Sequence, residues 1–357
     1  MDRAEQVDQS KHHLGALAKL KEMLPLTLTD KIPRKEYQKF RAGDPHGYHW
    51  GQRKLFIGEL QFMTMYGHLS DVIVYAGAAE GTHIPYLASL FPNKYWILID
   101  PRPFVFLSGT VFKHVHNCEE VSIAAEEAGE PKSHIFTINA YFDDQMAKCF
   151  SKFNPIFISD IRSDAKNESN ILQDNCNQVR WHKLINSKAS SLKYRCLYPQ
   201  SGHKIQALNK TKCSEMPDPK RAFNDATPFP KGERYFQSWA PRSSSETRVF
   251  VTDKNPEMYM FDNHLYEDQL HFFNRVIRVS QFPQPVKSNP GDGLDISYDS
   301  AKEVLTIYDY LVVSGKANLD VLKQISDFSF NITKRIHNTR TLKTLRSTHG
   351  EDQNEIE

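Results

Sequence analysis

Cysteine is scarce and unpatterned in this chain: Cys118, Cys149, Cys176, Cys196 and Cys213 include no C-x-x-C pair. An odd, scattered set gives neither the spacing of a zinc site nor a disulfide framework, and predicts free thiols in a reducing compartment. No apolar run approaches the ~20 residues of a membrane-spanning helix. The N-terminus also lacks the apolar core of a signal peptide. These absences predict a soluble cytoplasmic protein that uses no membrane and no metal. Net charge is nearly absent as well, at +2 from 45 basic and 43 acidic residues. Its distribution is uneven, however. Residues 11–41 are mainly basic, 334–346 carry five Lys or Arg and no acid, and the last seven residues turn acidic. Such basic runs are ordinary solvated surface or the footprint of a phosphate-binding face.

What is present suffices for a globular core: 39% hydrophobic residues, with 22 Phe and 15 Tyr. No clear linker divides the chain. The expected organisation is an N-terminal arm (1–45) wrapping a main domain (46–280), then a helical extension (281–346) and a disordered tail (347–357). A short helix is predicted at 14–24. A second begins at Lys54, with Phe56, Leu60 and Met63 on one face. Short apolar strands follow at Val72–Ala76, Tyr95–Ile99, His134–Ile138 and Ile156–Ser159, with a helix at 82–91 halted by Pro92. More strands are expected at 191–198 and 248–252, separated by a long loop or insertion at 201–234. An amphipathic helix at 266–279 and two helices at 300–313 and 319–330 complete the pattern. Short strands alternating with helices imply an α/β fold with a mostly parallel central sheet flanked by helices.

The first of these strands ends in a glycine turn, Gly77-Ala-Ala-Glu-Gly81, and Asp100 lies 19 residues further on at the end of the second. In open α/β sheets, ligands bind beyond the carboxyl ends of the strands. A carboxylate there can accept from both hydroxyls of a ribose. The turn lacks the third glycine of the dinucleotide fingerprint, which favours S-adenosylmethionine over NAD. Bland packing is the competing reading of any single glycine turn.

Four segments carry a more specific signal: Gly51-Gln-Arg-Lys-Leu-Phe-Ile-Gly-Glu-Leu60, Tyr75-Ala-Gly-Ala-Ala-Glu-Gly-Thr-His-Ile84, Ile158-Ser-Asp-Ile-Arg-Ser163 and Ala189-Ser-Ser-Leu-Lys-Tyr-Arg-Cys196. A weaker fifth is Ser244-Ser-Glu-Thr-Arg248. In order and spacing, over roughly 45–280, they resemble the poxvirus-type cap-specific mRNA 2′-O-methyltransferases that double as the small regulatory subunit of a viral poly(A) polymerase. The resemblance implies a large DNA virus and a Rossmann-like S-adenosylmethionine-dependent methyltransferase fold. It also implies 7-methylguanosine-capped mRNA as substrate, and a poly(A) polymerase catalytic subunit as a further partner.

By that resemblance Lys54, Asp160, Lys193 and Glu246 match the family's Lys-Asp-Lys-Glu tetrad. Asp160 is expected to end the fourth strand, Lys193 to lie near the start of the next, and Glu246 to precede another. Methyl transfer from a sulfonium to a ribose hydroxyl is an in-line displacement in which the hydroxyl loses its proton. Lys193 is the expected base, and the other three orient and tune it. A neighbouring cation favours the neutral form of an amine and carboxylates favour the charged form. The resemblance puts Gln52, Tyr75, Gly77, Gly81, Asp100, Arg102 and Phe142 around S-adenosylmethionine, with Asp100 on the ribose and Phe142 on the adenine. Glu80 replaces the family's proline in the turn and is expected to face solvent. Tyr198 is the expected stacking partner of the cap's cationic base, and Glu267 the acceptor of its N–H groups. Gln200 stands where the family has a second acid. Tyr37 and Tyr48 are both candidates for the second stacking aromatic. Two alternatives remain: a non-catalytic RNA-binding processivity subunit, and an FtsJ-like ribose methyltransferase on another RNA.

Overall fold

The computed structural model describes residues 3–45, 47–106, 109–127, 134–217, 222–286 and 294–337. The tail expected at 347–357 lies outside the described residues. Two compact units emerge. One gathers Met1–Thr64, Phe236–Ser244 and Leu270–Glu357, and the other Met65–Tyr235 with Ser245–Gln269.

The first unit opens with α1 (Arg3–Met23) and α2 (Gly51–Tyr66), whose last two residues pass into the second unit. Chain order then gives β1 (Val72–Ala76), α3 (Ile84–Leu90), β2 (Tyr95–Ile99), β3 (Lys113–His114), α4 (Cys118–Glu127) and β4 (His134–Ile138). Next come α5 (Asp144–Phe150), β5 (Ile156–Ser159), α6 (Glu168–Leu184), β6 (Ala189–Tyr194), α7 (Gly202–Lys210), β7 (Ala226–Pro230) and β8 (Glu233–Tyr235). The remainder is β9 (Thr247–Val251), β10 (Met258–Asp262), α8 (Asn263–Phe272) running into a π-turn at Phe273–Ile277, α9 (Tyr298–Val313) and α10 (Val321–His337).

Eight strands of the second unit form one sheet in the order β3-β4-β2-β1-β5-β6-β9-β8, and β10 pairs with β7 in a small second sheet. From β3 to β6 every pairing is parallel, while β9 runs antiparallel to both neighbours. The central strands are buried almost throughout, as expected of a parallel sheet covered on both faces. The fold is therefore α/β and Rossmann-like. Strand order reverses between β1 and β5, since β2 and β4 lie on one side of β1, and β5 and β6 on the other. The crevice at the carboxyl ends of β1 and β5 is thus the topological switch point.

Three expectations need correction. The stretch 201–234 is not a long loop, since it holds α7, β7 and the start of β8. Leu208 and Phe223 are buried against Ile171, Leu172 and Leu197, which gives the segment a small core of its own. Lys193 is the fifth of six residues in β6, near the strand's end rather than its start. Four cysteines are paired, Cys118 with Cys149 and Cys176 with Cys213, and Cys196 is free and buried. Cα separations of 6.2 and 5.8 Å are compatible with both bridges. The partners lie 31 and 37 residues apart in sequence and meet only through tertiary packing, so no local spacing announced them. Among the described residues, no helix is long and apolar enough to cross a membrane.

Candidate active site at the carboxyl edge of the sheet

The pairing register explains why three of the predicted charges meet. Ser159 of β5 pairs with Leu192 of β6, so Asp160 and Lys193 follow side by side where both parallel strands end. β9 starts where β6 finishes, with Thr247 opposite Tyr194, and this brings Glu246 to the same edge. Lys193 Nζ lies 3.5 Å from Asp160 Oδ1 and 3.7 Å from Glu246 Oε1, with all three side chains largely buried. The backbone of Lys193 is gripped from α6: Gln178 Oε1 accepts from its N–H at 3.0 Å, and Gln178 Nε2 donates to its carbonyl at 2.9 Å.

Further charges surround this trio. Arg248 donates to Asp160 Oδ1 and, at 3.0 Å, to the Ser159 carbonyl. Arg162 Nε stands 3.6 Å from Glu246 Oε1, and its Nη1 stands 3.8 Å from Asp174 Oδ2. Those distances exceed a hydrogen bond. Among the described residues none accepts a hydrogen bond from any of the three guanidinium nitrogens of Arg162, although the side chain is only 7% exposed. Asp174 accepts instead from the Ser163 N–H and hydroxyl at 2.8 and 3.0 Å, and its burial raises its carboxyl above the usual range. Sequence reasoning missed Arg162, Asp174, Gln178 and Arg248 as members of the site. Arg162 and Arg248 were inside the motif segments already singled out, whereas Gln178 and Asp174 sit on a helix that gave no signal.

At the end of β1 the glycine turn is real. Gly77 and Gly81 both take positive φ, +78° and +75°. A Cβ on Gly77 would meet the Asp160 and Ile161 backbone at 3.0 Å, so only glycine lets β1 and β5 close together at the switch point. Asp100 is buried at the end of β2 and closes the turn. Its Oδ2 accepts from the Ala79 N–H at 3.0 Å and from Arg102 Nη2 at 3.2 Å. Its Oδ1 accepts from the backbone and Nε of Arg102 at 2.9 and 3.1 Å. A carboxylate has about four acceptor positions, so this one is full. Arg102 also donates to the Ala79 carbonyl at 2.8 Å and is 65% exposed. Glu80 is exposed, the orientation expected. Tyr75 lies inside β1, buried. Phe142 is buried too, stacked on Phe157 at 5.5 Å and edge-on to Trp181 at 5.1 Å. Tyr141, its neighbour beyond the end of β4, is 81% exposed.

Tyr198 follows β6 by four residues and is half-buried. The Arg195 guanidinium covers its ring at 4.3 Å, and its hydroxyl bonds Ser245 Oγ at 2.6 Å. Glu168 fixes this pair: it takes two hydrogen bonds from Arg195, at 2.6 and 3.0 Å, and one from the Tyr198 N–H at 2.9 Å. Glu267 on α8 is close enough for its charge to act on the Tyr198 hydroxyl. Partial burial raises the Glu267 carboxyl above the usual range. Gln200 folds back onto the Tyr198 carbonyl at 2.8 Å. Lys54 and Gln52 occupy the first turn of α2, in the other unit, which also holds Tyr37 and Tyr48 of the arm.

The model of the poly A polymerase regulatory subunit family matches residues 25–311. The chain belongs to that family. Two poxvirus proteins, both named cap-specific mRNA (nucleoside-2′-O-)-methyltransferase, are similar to it. The myxoma virus (strain Lausanne) protein is 27% identical over 247 residues, covering 64% of this chain and 62% of its own length. The fowlpox virus (strain NVSL) protein is 27% identical over 302 residues, covering 78% and 79%. The match thus spans about three fifths of the myxoma relative. All thirteen residues expected at the site of this regulatory-subunit family member, from Gln52 to Glu267, fall inside the matched range.

Proposed function

We propose that the chain is an S-adenosylmethionine-dependent cap-specific mRNA 2′-O-methyltransferase acting on the first transcribed nucleotide of 7-methylguanosine-capped RNA, in the host cytoplasm. One observation carries the reading: a lysine held between two carboxylates at the carboxyl edge of the sheet, beside the switch point. Lys193, Arg248 and Arg162 face Asp160, Glu246 and Asp174. The two carboxylates beside Lys193 and the guanidinium groups of Arg248 and Arg162 position the amine. In its neutral form Lys193 accepts the proton of the 2′-hydroxyl, Asp160 and Glu246 orient its Nζ, and Lys54 is assigned to the same reaction by its place in the motif. The names of the two poxvirus relatives supply the substrate.

The turn suits an adenosyl group: two glycines hold it tight, Asp100 ends β2, and an aromatic ring is exposed beyond β4. S-adenosylmethionine, when bound, supplies an electrophilic methyl group. Asp100 gains acceptor capacity for the ribose hydroxyls when the exposed side chain of Arg102 releases it. We assign the adenine to the exposed ring of Tyr141, because Phe142 already spends its faces on Phe157 and Trp181. Tyr75, Gly77, Gly81 and Arg102 complete the lining, and Gln52 is assigned to the same cofactor by its place in the motif. For the cap, Arg195 backs one face of Tyr198, leaving the other for the methylated base, and Glu267 accepts from its N–H edge. The family's name supports a second role beside a poly(A) polymerase, which stimulation of adenylate tail extension would test.

Methyl incorporation into 7-methylguanine-capped and uncapped RNA tests the reading. Wild type should modify only the capped RNA. Lys193→Ala should lose roughly 100- to 10,000-fold in turnover and bind S-adenosylmethionine within a few-fold of wild type. Tyr198→Ala should weaken cap-analogue binding by about 1–3 kcal/mol. Equal methylation of uncapped RNA, or full turnover by Lys193→Ala, would sink the assignment.

A further inference from the structure

We propose that Glu168 sets the preference for 7-methylguanine over guanine, acting through Arg195 and Tyr198 rather than by contact with the base. It is a positioning residue that holds and neutralises a guanidinium behind the stacking ring. The identity of the base rests on the cap-methyltransferase reading, while the arrangement behind the ring stands on this chain's own geometry. Glu168 opens α6, whose first turn Asn167 caps by accepting from the Ser169 N–H at 3.0 Å. Arg195 directly follows β6, and Asn175 of α6 donates to its carbonyl at 2.8 Å. Carboxylate and guanidinium meet fork to fork, Oε1 accepting from Nη2 at 2.6 Å and Oε2 from Nη1 at 3.0 Å. Both side chains are more than nine-tenths withdrawn from solvent. Arg195 Nη1 also donates to the Cys196 carbonyl at 2.7 Å, and Glu168 Oε2 accepts from the Tyr198 N–H at 2.9 Å. One carboxylate thus fixes both the cation and the residue whose ring that cation covers.

The consequence is electrostatic. The face of an aromatic ring is negative and attracts a cation. On Tyr198 the Arg195 guanidinium already occupies one face, 4.3 Å from the ring centroid, and it cannot lose its proton. A purine made cationic by methylation stacks on the opposite face, about 4.5 Å from the ring and so about 9 Å from the guanidinium. Left uncompensated, two unit charges at that separation repel by roughly ten- to twentyfold in affinity at an effective dielectric of about 20. Unmethylated guanine is neutral and feels none of this, so a bare Arg195 would erode the preference that stacking creates. Glu168 removes the repulsion, because the methylated base then faces an ion pair and not a lone cation. The compensation matters in this chain because Gln200 brings no charge. Its amide donates to the Tyr198 and Pro199 carbonyls at 2.8 and 3.1 Å. The carboxylates of Glu267 and Glu168 both act on the Tyr198 hydroxyl. Glu267 does so from α8, and Glu168 from behind the ring.

The test measures, by isothermal titration on the full chain, the affinities of a 7-methylguanine cap dinucleotide and of its unmethylated counterpart. Glu168→Gln keeps an acceptor for the Tyr198 N–H and removes the charge. It should lower the ratio of the two affinities by about tenfold, through weaker binding of the methylated ligand alone. In turnover the loss should fall on the KM of the methylated dinucleotide, with kcat and S-adenosylmethionine affinity unchanged. Glu168→Gln combined with Arg195→Met leaves no charge behind the ring and should return the ratio to within about threefold of wild type. A purely structural role for Glu168 predicts the reverse, since the double variant has lost the whole fork and would be impaired at least as far as the single one. Replacing both partners of a buried ion pair is often neutral for stability, so the double variant decides the matter even if Glu168→Gln alone does not fold. An unchanged ratio in a folded Glu168→Gln protein, or a double variant without the preference, would overturn the proposal and leave the cap reading standing. Should wild type bind the two dinucleotides alike, the cap reading fails and takes this role of Glu168 with it.

Discussion

The side chains of Arg53 in the first unit and Arg162 in the second are both largely withdrawn from solvent, and neither can shed its proton. Arg53 is fastened on every side. It makes two hydrogen bonds to Glu303, at 2.7 and 2.6 Å, with others to Thr333 and Ser329 at 2.9 and 2.8 Å. Trp239 and Ser329 in turn donate to the same Glu303 carboxylate. Arg162 faces Glu246 and Asp174 at 3.6 and 3.8 Å with no hydrogen bond at all. A buried charge with satisfied donors is architecture. One kept unsatisfied beside the Lys193 cluster costs stability, and such costs collect where a protein works.

The largest effect expected from breaking this comparison is at Arg53. Arg53→Met strands Glu303 as a buried unpaired charge, and losing one partner of a buried pair costs about 3–5 kcal/mol. A melting temperature lowered by less than a degree or two would show that the network is dispensable. The charge on Glu303 is what makes the loss large. Arg53→Met combined with Glu303→Leu should therefore recover much of it.

A third buried cation sharpens the contrast, because lysine has an escape that arginine lacks. Lys302 on α9 is fully buried and donates to the Phe236 carbonyl. Burial pushes its pKa down from 10.5 to about 7, against a smaller opposing pull from Asp299. Between pH ~7 and ~10.5 the unfolded chain therefore holds a proton that the folded one does not, so stability rises with pH across that window. Below pH 7 both states are protonated and the full penalty of a buried ammonium is felt. Lys302→Met should stabilise the protein most below pH 7, on the order of a few kcal/mol. The gain should fade toward pH 10, and thermal melts at pH 6 and pH 9.5 would read it. A gain independent of pH would mean that Lys302 is neutral or solvated throughout.

The fold was legible where burial is apolar and obscure where it is polar. β1, β2, β4 and β5 occupy the residues expected of them, because each is a short apolar run closed by a turn. α6 is mixed. Beside Ile171, Leu172, Cys176 and Val179 it buries Asp174, Asn175, Gln178 and His182, which bond partners distant in sequence such as the Lys193 backbone and the Asp253 carbonyl. Periodicity is blurred in a helix whose inner face mixes apolar and polar side chains. The same limit hid half the site. Asp160, Lys193 and Glu246 were readable as motif members, whereas Gln178 acquires its role only through tertiary contact. Phe142 drew the adenine role because aromatic identity is visible in a sequence. That Tyr141 is the exposed ring and Phe142 the buried one is not.

The smallest effect on stability is expected at Arg162, and it decides whether the opening contrast holds. Arg162→Gln gives up two ion pairs too long for hydrogen bonds, and it also removes a buried guanidinium with unsatisfied nitrogens. The terms oppose, because a lost attraction is offset by a lost desolvation penalty. The net change in stability should stay within about 1 kcal/mol. Turnover should fall all the same, by roughly tenfold, since Glu246 loses a cation that shares its charge with Lys193. Affinity for S-adenosylmethionine should be unmoved, placing the loss in kcat. Arg162→Lys keeps the charge and should recover part of the rate. A melting temperature that drops as far as that of Arg53→Met would make Arg162 a structural residue like its counterpart. Unchanged turnover in a folded Arg162→Gln protein would remove it from the site.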